Sequence, residues 1–77
     1  MIFYDFEVFE KDWLAVFIDV TNKKEHVIIN SPDKLKALYE ANRKDIWVGF
    51  NNRHYDQYIM KGILLGMNPK KINDWII

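Results

Sequence analysis

The sequence contains no cysteine, which excludes a disulfide framework and a zinc-thiolate site and suits a reducing cytoplasm. It has no net charge, with 11 basic and 11 acidic side chains. It therefore lacks the basic excess by which proteins hold nucleic acid through charge alone. Any nucleic-acid binding must be local, through bound cations for example. No apolar run approaches the roughly 20 residues of a membrane span, so no membrane partner is expected. The N-terminus lacks a basic region followed by an apolar stretch and a small-residue cleavage site, so no signal peptide is expected. Internal repeats, low-complexity tracts and linkers are also missing. What remains is a chain of 77 residues, enough for one small domain. A domain of this size buries only about 60–65% of its unfolded-chain surface, so it needs good packing. The composition is 49% apolar and 16% aromatic, which argues against disorder and for a core of Phe, Tyr and Trp.

Ile2 to Phe9 reads as a strand, because β-branched and aromatic residues dominate it. Ile2, Tyr4, Phe6 and Val8 share one face; Phe3, Asp5, Glu7 and Phe9 share the other. Glu10-Lys11-Asp12 is a polar turn. Trp13–Val20 and Glu25–Ile29 are further apolar runs, separated by Thr21-Asn22-Lys23-Lys24. Three short strands with brief polar connections predict an antiparallel meander. Ser31 then supplies an N-cap, Pro32 a first helical residue and Asp33 a dipole partner, predicting a helix over 32–43. Leu35, Leu38, Tyr39 and Asn42 fall on its inner stripe. Residues 45–50 predict a fourth strand, apolar on both faces and so covered on both sides. Asp56, Ile59, Met60, Ile63, Leu64 and Met67 form the stripe of a helix over 54–66, ended by Gly66. Asn68-Pro69 starts a short last helix toward Trp75. The order β-β-β-α-β-α places the fourth strand parallel to and beside the first, an α/β architecture.

Asp5 and Glu7 are two apart on a strand, so they share a face with Cα atoms about 6.6–7 Å apart. Flanked by Phe3 and Phe9, the pair is expected on the core side, where two charges need compensation. A hard divalent cation compensates them well, since hard ions prefer carboxylate oxygens. By itself the pair also suits an edge strand with solvated charges. Asp56 begins the helix that leaves the fourth strand, so the topology brings it near Asp5 and Glu7. Open α/β sheets bind ligands at the carboxyl ends of strands, near the reversal of strand order. A third carboxylate there fits a site whose two ions clamp the attacking and leaving oxygens. Asp56 equally suits a helix N-terminus as cap or dipole partner.

Phe3-Tyr4-Asp5-Phe6-Glu7 resembles the first motif of DEDD-type 3′–5′ proofreading exonucleases, a hydrophobic strand carrying Asp-x-Glu. Asn52-Arg53-His54-Tyr55-Asp56 resembles their second motif. With Asp45–Asn52 and Asn73-Asp74-Trp75, essentially the whole chain is similar to the N-terminal end of bacteriophage DNA polymerases. The resemblance implies a truncated RNase H-like fold, with residues 1–77 as one partial domain. It implies Mg²⁺ or Mn²⁺ as cofactor and single-stranded or primer-terminus DNA as partner, in the host cell cytoplasm if the gene is a phage's. Asp5 would bind both metals, Glu7 would bind one and position the attacking water, and Asp56 would hold the second. Asn52, with Asn51 as alternative, would contact the 3′-terminal nucleotide. Tyr55 and Phe6 would pack around the site. The reaction would be removal of a nucleotide from a DNA 3′ end.

The family's third motif, a Tyr or His followed four residues later by Asp, is missing. Asp74 is available, but Lys70 stands four residues before it. A last strand and helix are missing too. The chain therefore reads as the first part of an exonuclease domain, with little or no activity alone. The alternative is a non-enzymatic small α/β module that binds a partner, or a homodimer formed through an exposed edge strand or helix face. His54 and His26 carry no strong signal. Arg53 and Lys61 read as a solvated face, and Trp13, Trp47 and Trp75 as core or interface.

Overall fold

A computed structural model describes residues 1–49 and 55–76. The chain forms strands β1 (Ile2–Val8), β2 (Trp13–Asp19) and β3 (Lys24–Ile29), then helix α1 (Pro32–Ala41). Strand β4 (Trp47–Gly49) and helices α2 (Tyr55–Leu64) and α3 (Pro69–Ile76) follow. The four strands form one mixed sheet in the order β3-β2-β1-β4. β1 pairs antiparallel with β2 and parallel with β4. This is the α/β arrangement expected from the sequence: a meander, a crossover helix and a fourth strand beside the first.

Turn chemistry fixes the meander. Phe9 N donates to Asp12 O at 2.7 Å across the first turn. In the second turn both oxygens of the buried Asp19 carboxylate accept from Asn22, at 3.2 Å from its backbone N and 2.7 Å from its Nδ2. Lys23 takes a φ of 53° there. Asn30, with a φ of 52°, joins the far ends. Its Oδ1 accepts from Trp13 N and its Nδ2 donates to Asp12 Oδ1, both at 2.7 Å.

The crossover begins as expected, with Ser31 Oγ accepting from Lys34 N at 3.2 Å and Pro32 opening the helix. It stops at Ala41 because Asn42 turns out of the helix and caps it, its Nδ2 donating to Leu38 O at 2.9 Å. Asn42 is thus a cap rather than a member of the inner stripe. Gly66, with a φ of 83°, ends α2. Gly66 N donates to Ile63 O and Met67 N to Gly62 O, both at 2.9 Å, the paired bonds of a Schellman turn. Met67 therefore leaves the helical stripe and is exposed.

The helices lie after the meander in the chain, and one face of the sheet carries the core. Ile2, Tyr4 and Phe6 of β1, Trp13, Ala15 and Phe17 of β2, and Ile28 of β3 pack against Leu35 of α1 and Ile59, Met60 and Ile63 of α2. Phe17 is the hub: its ring lies 5.8 Å from Phe6, 6.0 Å from Trp47 and 6.4 Å from Tyr4. Such aromatic contacts add to simple area burial.

Two further expectations are corrected. Asp5 and Glu7 are not on the core side of β1: the alternation that buries Ile2, Tyr4 and Phe6 turns them to the opposite face, where Asp5 is half-buried and Glu7 exposed. β4 starts at Trp47 rather than at 45 and is only half-buried; the expected last residue, Phe50, lies outside the described residues. Asp45 is drawn out of the strand, its Oδ1 accepting from Ile46 N at 2.8 Å and pairing with the N-terminal ammonium at 2.7 Å.

Candidate functional site

Among the described residues β4 pairs with β1 from Ile2 to Tyr4. Two residues further along β1, the Phe6 N–H donates to Asp56 Oδ1 at 3.0 Å. Asp56, in the first turn of α2, thus satisfies a backbone donor of β1 with its side chain. Gly49 lies against it: a Cβ there would make ordinary van der Waals contact with Asp56 Cβ at 3.6 Å, with its Oδ2 at 3.7 Å and with the Tyr4 ring at 3.7 Å.

Asp56 is 1% exposed, and its second oxygen, Oδ2, is buried with no hydrogen-bond partner among the described residues. Nor does Asp56 pair with a lysine or arginine among them. Burial pushes its pKa above the ordinary 3.8. The Phe6 N–H opposes that rise and the negative field of Asp5 adds to it. Transferring an unpaired carboxylate out of water costs several kcal/mol, so the group takes up a proton or a cation.

Tyr55 stands beside it and donates from its hydroxyl to Asn73 Oδ1 of α3. Burial, then the charges of Asp56 and Asp5, hold the Tyr55 phenol above its usual range and so protonated. Tyr4 is shifted the same way, by burial first and Asp56 second. Lys70 points at Asp74, 2.7 Å away, and lies 4.0 Å from Glu10. The Asp74 hydrogen bond raises the Lys70 pKa and lowers that of Asp74.

Asp5, Asp56 and Tyr55 thus lie within electrostatic reach of one another: Asp5 acts on both Asp56 and Tyr55, and Asp56 acts on Tyr55. Glu7 shares the face of Asp5 but is exposed to solvent. Among the described residues no group of three or more His, Asp or Glu side chains is gathered closely enough to hold a metal ion. The donor chemistry at the Asp5–Asp56 pair nonetheless suits a hard divalent cation: two carboxylates, one with a buried unpartnered oxygen. Phe6 contributes its backbone N–H, because its ring is 2% exposed and packed on Trp13 and Phe17. Asn51 and Asn52, expected to meet the 3′-terminal nucleotide, lie outside the described residues, as do Arg53 and His54. Sequence reasoning missed Asn73 as the partner of Tyr55, and Tyr4 as a wall of the site. Asn73 lies eighteen positions beyond Tyr55, with no spacing rule to connect them.

No family model, curated protein or solved structure matches the chain. Among the described residues no helix is long and apolar enough to cross a membrane.

Proposed function

We propose that this chain forms the N-terminal part of a DEDD-type 3′–5′ exonuclease domain, like that of bacteriophage DNA polymerases, acting on the 3′ terminus of DNA. The observation that carries the reading is Asp56. Its Oδ1 accepts from Phe6 N at 3.0 Å, while its Oδ2 is buried, unpartnered among the described residues and in the field of Asp5. A helix cap or dipole partner needs no second, dry carboxylate oxygen next to another acid. A site for Mg²⁺ or Mn²⁺ does, and the strand order is the one expected of an RNase H-like fold.

Asp5 and Asp56 would hold the cation, and Glu7 would reach it from the same face as Asp5. When bound, the ion supplies charge neutralisation at the phosphate and lowers the pKa of a coordinated water. Asp56 fixes the geometry, because its bond to Phe6 N locks one oxygen and aims the other. Tyr55, held by Asn73, walls the site as a neutral phenol. The test is binding of a short single-stranded oligonucleotide with and without Mn²⁺. Binding is expected to need the ion and to lose that dependence in Asp5→Ala and Asp56→Asn; ion-independent binding, or no effect of either substitution, would contradict the reading. Hydrolysis by the chain alone is expected to stay near background, because the third motif is missing. A rate abolished by Asp5→Ala would show that the carboxylate set suffices.

A second reading is a non-enzymatic module. Exposed Val27 and Ile29 on the face of the sheet away from the helices favour it. It predicts no response to divalent ions at Asp56.

A further inference from the structure

The face of the sheet away from the helices is apolar in part, but nothing in the molecule indicates what covers it. The groove between α2 and α3 says more. It has a volume of about 570 Å³ and is walled by Tyr58, Leu65, Met67, Ile72 and Trp75. Its floor is Gly62, where a Cβ would lie 1.9 Å from Ile72 Cδ1, so the absent side chain sets how closely the helices cross. The walls are open to solvent: Trp75 is 94% exposed, Leu65 79% and Tyr58 54%. Lone exposed apolar residues are ordinary, but several of them lining one concave surface mark an interaction site.

Charge decides the occupant. Lys61 and Lys71 also line the groove. The ion pairs of this region go to Lys70, which takes Asp74 and approaches Glu10. Lys61 and Lys71 have no ion pair among the described residues. A second copy docked groove to groove would bring its own Lys61 and Lys71 onto the first pair, and like charges facing each other across an interface are costly. An apolar ligand edged with carboxylates meets no such penalty. Grooves between helices accept amphipathic helices, read through anchors at i, i+3, i+4 and i+7.

We propose that the α2–α3 groove docks an acidic amphipathic helix of a partner protein, with its apolar stripe on Leu65, Met67 and Trp75 and its carboxylates on Lys61 and Lys71. The proposal is independent of the proposed metal site at Asp5 and Asp56.

The probe is a designed peptide of roughly five helical turns, with leucines at i, i+3, i+4 and i+7 and glutamates flanking them. A twin carries lysines in place of the glutamates. Both are titrated into isotope-labelled chain and followed by NMR. The acidic peptide is expected to shift Leu65, Met67 and the Trp75 indole saturably, and to bind at least about tenfold more tightly than its twin. The double variant Lys61→Glu/Lys71→Glu, whose fold is checked on the β1–β3 resonances, is expected to reverse that preference. Equal affinity for both peptides, an unchanged preference in the variant, or no binding overturns the proposal. Concentration-dependent shifts of the same resonances without peptide would assign the groove to a second copy and overturn it. Shifts with phosphatidylglycerol vesicles but not with peptide would do the same in favour of a membrane surface.

Discussion

Asp56 is the residue at which fold and chemistry meet. Replacing it separates its two roles. Asp56→Asn keeps an acceptor for Phe6 N and removes the buried charge; Asp56→Ala leaves that N–H unsatisfied and is expected to cost about 1–3 kcal/mol. In metal-free buffer Asp56→Asn is expected to be at least as stable as the parent, measured by urea unfolding. The pH dependence follows from the raised pKa of Asp56. Above 3.8 the unfolded chain loses this proton while the folded chain keeps it. The folded state then binds more protons, and stability falls as pH rises through the folded pKa. Asp19 and Asp45 have the opposite sign. Hydrogen bonds from Asn22 lower the first and the bond from the N-terminal ammonium lowers the second, so their contribution is present above 3.8 and lost as pH falls. Asp56→Asn is therefore expected to remove the decline toward neutral pH and leave the acid-side loss intact. Asn30 is a second residue with two jobs, since it takes a positive φ and bonds both Trp13 and Asp12. Asn30→Ala is expected to destabilise by about 1–3 kcal/mol, and Asn30→Gly, which keeps the φ but loses the bonds, by less.

Among the elements, the α2–α3 hairpin is the most sensitive to a single methyl group. A Cβ at Gly62 would overlap Ile72 Cδ1, the far end of a flexible side chain. Gly62→Ala is expected to lower the melting temperature, and Ile72→Val, which removes that carbon, to restore much of the loss. Additive effects of the two substitutions would argue against this contact. The sequence made the meander, the crossover helix, the stop at Gly66 and the start at Asn68-Pro69 legible, because each rests on local rules: alternation, capping and left-handed glycine. It misplaced the face of Asp5 and Glu7, because both faces of β1 carry apolar residues and alternation alone does not say which one the helices cover. It also started β4 two residues early, because the pull of the N-terminal ammonium on Asp45 is a contact between residues far apart in the chain. The approach of Asp56 to β1 was legible from topology; its bond to Phe6 N was not, since no local rule links a helix-start carboxylate to an N–H fifty positions earlier.

At the scale of the whole molecule, the described chain has a radius of gyration of 11.7 Å, close to the roughly 11.5 Å of a compact domain of this length. Its core depends on one aromatic hub. Phe17→Ala is expected to cost about 3–5 kcal/mol, a large share of the stability of so small a domain, and to leave much of the chain unfolded by circular dichroism. The proposed cation site draws on this same packing, because the core seats α2 against β1 and so brings Asp56 to Phe6. The most direct test of that account is a Mn²⁺ titration of the 77-residue chain, followed by paramagnetic broadening of its amide resonances. Broadening centred on Asp5, Phe6 and Asp56, saturable at weak affinity, competed by Mg²⁺ and lost in Asp56→Asn, is the predicted result. Broadening spread over the surface acids, or unchanged by Asp56→Asn, would contradict it.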